Sequence, residues 1–106
     1  LPKKPRPRTE RRERERALEK LARDREKLAR LEKGGSPGRP IELESASQVE
    51  VHARSMRCTR CEAEVRVDEH VARTVGDQRL RLARLVCPRC DARRDVWFRL
   101  AAALPS

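Results

Sequence analysis

MRCTRCEAEV (residues 56–65) and LVCPRCDARR (residues 85–94) decide how this chain folds. Each contains one Cys-x-x-Cys turn, Cys58/Cys61 and Cys87/Cys90, and these are the only four cysteines. A run of 25 residues, 62–86, separates the pairs. A Cys-x-x-Cys turn brings two thiolates to one side of a tight loop. Two such loops facing each other make a tetrahedral sulfur cage, which suits zinc best among the abundant metals. Three other uses of the cysteines fit the chain less well. A redox pair sits at the start of a helix in a larger α/β domain. Two disulfides need an oxidising compartment. A catalytic zinc needs an open position, which four thiolates close. One structural zinc is the expectation.

The two knuckles and their separation resemble a zinc ribbon, in which cysteine turns on β-hairpins clamp one ion. The resemblance covers roughly residues 56–100. It implies a metal and a fold but no single role, since such domains serve in transcription, translation, DNA repair and protein contacts. One departure stands out. Many ribbon knuckles carry glycine just after the second cysteine, where the backbone takes positive φ. Here those positions are Glu62 and Asp91. Glutamate tolerates that region poorly, so the first knuckle is expected to turn differently from the second.

Composition sets the scale. The chain has 106 residues, 42% of them charged and 2% aromatic, so one small core is all it can build. Residues 1–40 hold 15 Lys/Arg and 7 Asp/Glu, while residues 41–106 hold 12 and 10. Most of the formal +10 therefore lies outside the cysteine module. Such an excess favours polyanions: nucleic acid, a ribosome or an anionic membrane surface. No apolar run approaches the ~20 residues that span a bilayer, and the N-terminal residues lack the apolar centre of a signal peptide. A cytoplasmic protein with reduced thiols, and no membrane partner, is expected.

Along the chain, LPKKPRPR (1–8) reads as a disordered basic arm, because Pro2, Pro5 and Pro7 oppose regular structure. Residues 9–33 read as one charged helix with Thr9 as N-cap. Glu10→Arg14, Glu19→Arg23 and Glu26→Arg30 are spaced for ion pairs along it. Its apolar stripe is narrow: Ala17, Leu18, Leu21, Leu28 and Leu31. GGSPGRP (34–40) reads as a flexible linker. Residues 41–100 form the ribbon domain with a short N-terminal extension, in which 41–44 are extended and 46–54 a short helix. Ser45/Gln48 has capping-box spacing there, and Ala46, Val49, Ala53 and Met56 share a face. Three strands follow: one marked by Val65 and Val67, then 80–86, then 94–100, with a turn at Gly76-Asp77. Residues 101–106 are a tail. The fold class is thus a small metal-stabilised α+β domain, a three-stranded antiparallel zinc ribbon preceded by a long charged N-terminal α-helix. A block this short rarely folds on apolar burial alone. A structural zinc would supply on the order of 10 kcal/mol.

Alternation on the last strand sets Val96, Phe98 and Leu100 against Asp95, Trp97 and Arg99. If the leucines Leu80 and Leu82 face inward with Val96 and Phe98, then Arg79, Arg81, Trp97 and Arg99 share an exposed face. Arginines beside an exposed aromatic are how sheets hold single-stranded nucleic acid. The bland alternative is that Trp97 packs under residues 41–55. Lys3, Lys4, Arg6 and Arg8 are candidate phosphate contacts from the arm. Arg57, Arg60 and Arg89 offset the negative charge of a four-thiolate site, and His52 and His70 are read as packing or surface residues, not ligands. No nucleophile motif, phosphate loop or carboxylate cluster is present, so neither an enzyme nor a small-molecule substrate is expected. The expectation is a nucleic-acid-associated module, with a protein-interaction adaptor as the alternative.

Overall fold

A computed structural model describes residues 7–101. Its elements are α1 (Pro7–Leu31), β1 (Ile41–Leu43), α2 (Ser47–Ser55), β2 (Arg66–Val75), β3 (Gln78–Val86) and β4 (Arg93–Leu100). Lys3, Lys4 and Arg6 of the basic arm, and tail residues 102–106, lie outside the described residues. The helix already includes Pro7, a residue whose fixed φ suits a first helical turn. Thr9 therefore lies inside α1 instead of capping it, and Arg8 belongs to the helix and not to an arm.

The four strands form one mixed sheet in the order β1-β4-β3-β2. This corrects the expectation of three antiparallel strands. β2, β3 and β4 do run antiparallel. Ile41-Glu42-Leu43 adds a fourth strand parallel to β4, with Ile41 opposite Phe98 and Leu43 opposite Leu100. Three residues carry too little periodicity to be read as a strand, and the partner strand lies far along the chain. β2 and β3 join through Gly76-Asp77, with Gly76 at φ 59°. Positive φ at the first of two loop residues is the II′ arrangement, whose twist matches the flanking strands. An irregularity between Val67 and Glu69 leaves Asp68 as an extra residue on β2.

Register decides which side chains share a face. Ala83 lies opposite Val96, Arg81 opposite Phe98 and Leu82 opposite Trp97. Directly opposed residues project to the same side of an antiparallel pair. The covered face is therefore built from Ala83, Leu85, Val96 and Phe98, not from Leu80 and Leu82. α2 closes it with Val49 and Ala53, both fully buried, and Met56, Ile41, Leu43 and Leu100 pack around them. The short helix matches the expected 46–54, and one half of the Ser45/Gln48 capping box forms: Glu44 and Ser45 N–H groups donate to the Gln48 side-chain oxygen at 2.9 and 3.3 Å. Leu80 and Leu82 are buried on the second face, the one that carries Trp97.

α1 meets this body with its second half only. Residues 8–21 are all exposed, and Ala22 and Ala29, seven apart on one side of the helix, are its buried positions. The stretch expected to be a flexible linker is bonded to the sheet edge. The Trp97 N–H donates to the Gly34 carbonyl at 2.8 Å, extending the β1–β4 ladder backwards, and the Arg39 guanidinium donates to the Leu31 carbonyl at 2.7 Å, closing the helix end. Gly34 is buried at φ +87°, and a Cβ there would lie 2.7 Å from Ile41 Cδ1. Only glycine fits both the angle and the gap.

Candidate metal centre

The two knuckles are built alike. In the first, Cys58 N–H donates to the Ala63 carbonyl and Glu62 N–H to the Cys58 carbonyl, both at 2.9 Å. In the second, Cys87 N–H donates to Ala92 and Asp91 N–H to Cys87, again at 2.9 Å. Glu62 takes φ 62° and Asp91 φ 59°. The expectation that glutamate would make the first knuckle turn differently is thus overturned. The tight loop demands the left-handed region at that position whichever residue occupies it, and the side chain bears the strain.

These turns bring the four cysteine sulfurs within 4.8 Å of one another, so that together they can hold one metal ion. Cys58 and Cys90 Sγ atoms are 3.6 Å apart and Cys61 and Cys87 Sγ atoms 3.5 Å apart. Four sulfurs each about 2.3 Å from a common tetrahedral centre lie about 3.8 Å apart, so the arrangement fits a four-thiolate site with little adjustment. A disulfide, at about 2.0 Å, does not describe it, and all four cysteines are free. Cys58 and Cys87 are buried and belong to the apolar core, while Cys90 is exposed.

The close approach of four thiols sets their protonation. Burial pushes the Cys87 thiol up, but backbone N–H groups of Cys90 and Arg89 and the neighbouring sulfurs pull it down to about 7. At Cys90 the Ala92 backbone favours the thiolate, yet burial and the other three sulfurs together push it up to about 12. Packed thiolates repel one another, and binding a positive ion in their midst favours loss of the remaining protons. Neither histidine joins the cluster. His52 packs edge-on against Phe98, with ring centroids 5.6 Å apart.

Around the centre the arginines separate by role. Arg60, inside the first knuckle, reaches α1: its guanidinium lies 2.6 Å from Glu19 and 3.5 Å from Glu26, and the Glu19 hydrogen bond raises its pKa. Arg25 of α1 answers with Glu62 at 3.5 Å. The expected pairs Glu19→Arg23 and Glu26→Arg30 are therefore replaced by contacts to the knuckle, and among the described residues the ion pair within the helix is Arg11–Glu15 and not Glu10–Arg14. Arg57 pairs with Glu64, and Arg89 is exposed without an ion-pair partner among the described residues.

The proposed nucleic-acid face is not assembled as expected. Arg79 and Arg81 lie on the α2 side of β3, and Trp97 and Arg99 on the other side of β4, because Leu82 and not Arg81 stands opposite Trp97. Sequence alternation could not settle this, since β3 carries apolar residues at both parities: Leu80, Leu82 and Val86 at one, Ala83 and Leu85 at the other. Arg99 pairs with Glu42 of β1. Nor does Trp97 pack under α2. It lines a cleft between α1 and β4 with Arg30, Arg93 and Arg94.

A second basic feature is missed when the helix is read for apolar positions alone. Spacings of four and three residues carry Arg8, Arg12, Arg16, Lys20, Arg23, Lys27 and Arg30 along one face of α1. All seven are exposed, and none has an ion-pair partner among the described residues. Docking of α1 uses its acids Glu19 and Glu26 and leaves this stripe in solvent. No described helix is long and apolar enough to cross a membrane. Comparison of the chain with protein-family models, with curated proteins and with solved structures returns no match.

Proposed function

We propose that this chain is a non-enzymatic zinc-ribbon module that associates with nucleic acid. The metal half of the reading is supported by the sulfur separations of 3.5 and 3.6 Å, which suit one structural Zn²⁺ held by Cys58, Cys61, Cys87 and Cys90. The nucleic-acid half is carried by one observation: the unpaired basic stripe from Arg8 to Arg30. Successive charges on it rise about 4.5–6 Å along the helix axis, a row suited to consecutive phosphates. The zinc-stabilised sheet anchors one end of the helix and leaves the other projecting. Binding through such a row is driven largely by counterion release.

The test is fluorescence anisotropy of labelled single-stranded and duplex oligonucleotides, titrated with zinc-loaded protein across a salt series. Affinity is expected to fall steeply with salt. Replacing Arg12, Arg16 and Arg23 together by glutamine is expected to flatten the log–log slope by about 2 for single strands. Absence of binding at low salt, or a slope indifferent to the three substitutions, would sink the reading. A protein-interaction adaptor is the second reading. It is favoured by Leu18, Leu21 and Leu28 of α1, which are 47–66% exposed on a side of the helix away from the stripe. On that reading the glutamine variant changes nothing, and substitution of the leucines abolishes capture of a partner that withstands moderate salt.

A further inference from the structure

β1 pairs with β4 only at Phe98–Leu100, and Gly34 takes the Trp97 N–H. Upstream of Trp97, the edge of β4 therefore has no strand beside it. Between this edge and α1 lies a cleft of about 400 Å³ whose lining includes Trp97, Ala29 of α1 and Thr59 of the first knuckle. That volume falls in the range of small-ligand sites, about 300–1,000 Å³.

The lining is selective. Trp97 is half-buried, and its indole N–H has no partner among the described residues. Register sets Arg94 opposite Leu85, on the α2 side of β4, so it borders the cleft from the other side of the strand edge to Trp97. It is half-buried there, and burial lowers its pKa although Glu32 and Cys58 oppose the shift. It makes no ion pair and no side-chain hydrogen bond among the described residues. Glu32 acts on it without bonding it, so its partial desolvation is only partly offset until an anion meets it. Arg30, the last charge of the α1 stripe, stands at the same cleft. The two acids there are held elsewhere, Glu26 by Arg60 at 3.5 Å and Asp95 by Arg84 at 3.7 Å. Alternation along β4 also turns the Asp95 backbone N–H and carbonyl the same way as those of Trp97, toward the cleft.

A flat apolar surface, two unpaired guanidiniums and free edge-strand groups within one cleft specify a ligand with a planar ring and a phosphate. We infer that the cleft between α1 and β4 binds one nucleotide of a single strand, its base against Trp97 and its phosphate between Arg30 and Arg94. The strand runs on along the stripe from Arg30 toward Arg8. This rests on the nucleic-acid reading above and adds to it a site that reads an unpaired base. It also replaces the Arg79/Arg81 face with a different set of arginines.

Trp97 is the single tryptophan and the chain has no tyrosine, so emission excited at 295 nm reports on the cleft alone. Zinc-loaded full chain is titrated with the single strand rU8, with uridine monophosphate and with inorganic phosphate. Anisotropy of labelled rU8 is followed in parallel. The expected result is saturable quenching by rU8 with the same midpoint as the anisotropy. Trp97→Leu and, separately, the Arg30→Gln/Arg94→Gln pair are each expected to weaken rU8 about tenfold, the scale of one base–aromatic stack. The double variant keeps Trp97 and serves should Trp97→Leu fail to retain zinc. Quenching by uridine monophosphate at comparable concentration keeps the site and assigns it to free nucleotides. Quenching by inorganic phosphate alone removes the base from the proposal and overturns it. Anisotropy without quenching, unchanged in the variants, overturns the cleft while the nucleic-acid reading stands. Silence in both overturns both.

Discussion

The Cys58–Cys61 and Cys87–Cys90 turns have the same hydrogen bonds and the same left-handed residue, yet opposite surroundings. The first is clasped by α1 through Arg60, Glu19, Glu26, Arg25 and Glu62. The second stands bare, with Pro88, Arg89 and Cys90 exposed. The likeness is local: a Cys-x-x-Cys loop closing on a shared sulfur cage has one comfortable backbone path. The difference is tertiary, because the described residues form one long helix and it can lie against only one knuckle. The cysteine cluster is symmetric in its four sulfurs and asymmetric in what its two halves can contact.

The largest effect is expected where the knuckles act as one. Chelation, or Cys87→Ser, should cost the metal and with it most strand signal, checked by metal mass spectrometry with circular dichroism. If the sheet survived without metal, the knuckles would be ornaments on a self-sufficient core, and the comparison would lose its basis. Next in size is Phe98→Ala. Phe98 is fully buried in the core that also contains Cys58 and Cys87, so about 3–5 kcal/mol of stability should be lost in denaturant titration. Thiol-reactivity of both knuckles should rise together; a rise at one alone would show them to be separable. A smaller change, of opposite sign, tests the shared geometry. Glu62→Gly should stabilise by up to about 1 kcal/mol, since glycine enters the left-handed region freely, with a lesser gain for Asp91→Gly, read as the shift in thermal midpoint. Equal loss in both would mean that the positive φ is not strained. The smallest effects should separate the two surroundings. Arg60→Ala should loosen α1, seen as faster amide exchange at residues 22–30 with metal content unchanged. Arg89→Ala should alter neither, within about ±0.5 kcal/mol. A helix indifferent to Arg60 would show that Ala22 and Ala29 hold it by themselves.

Much of this is legible in the residues. Cys-x-x-Cys twice, with 25 residues between, names the four side chains that come together, because a tight turn is written in local spacing. The α2 segment can be read because Val49, Ala53 and Met56 recur at helical intervals and Gln48 stands three after Ser45. The face carrying Trp97 is misassigned by alternation for a physical reason: β3 is apolar at both parities, so a one-residue choice of register moves every side chain to the other side of the sheet. β1 is hidden by its length, and the partners of Glu19 and Glu26 by distance, since Arg60 lies 41 positions beyond Glu19.

Sequence and structure divide along the range of the forces involved. Spacing along the chain determined the sulfur cage, the helices, the Gly76-Asp77 turn and the basic character of α1, all of which arise within a few residues of backbone. Strand order, register, the burial of Gly34 and the cleft beside Trp97 came only with the assembled molecule. They depend on which distant surfaces exclude water together. A charged side chain such as Arg60 or Glu19 has no partner until the chain has closed around it.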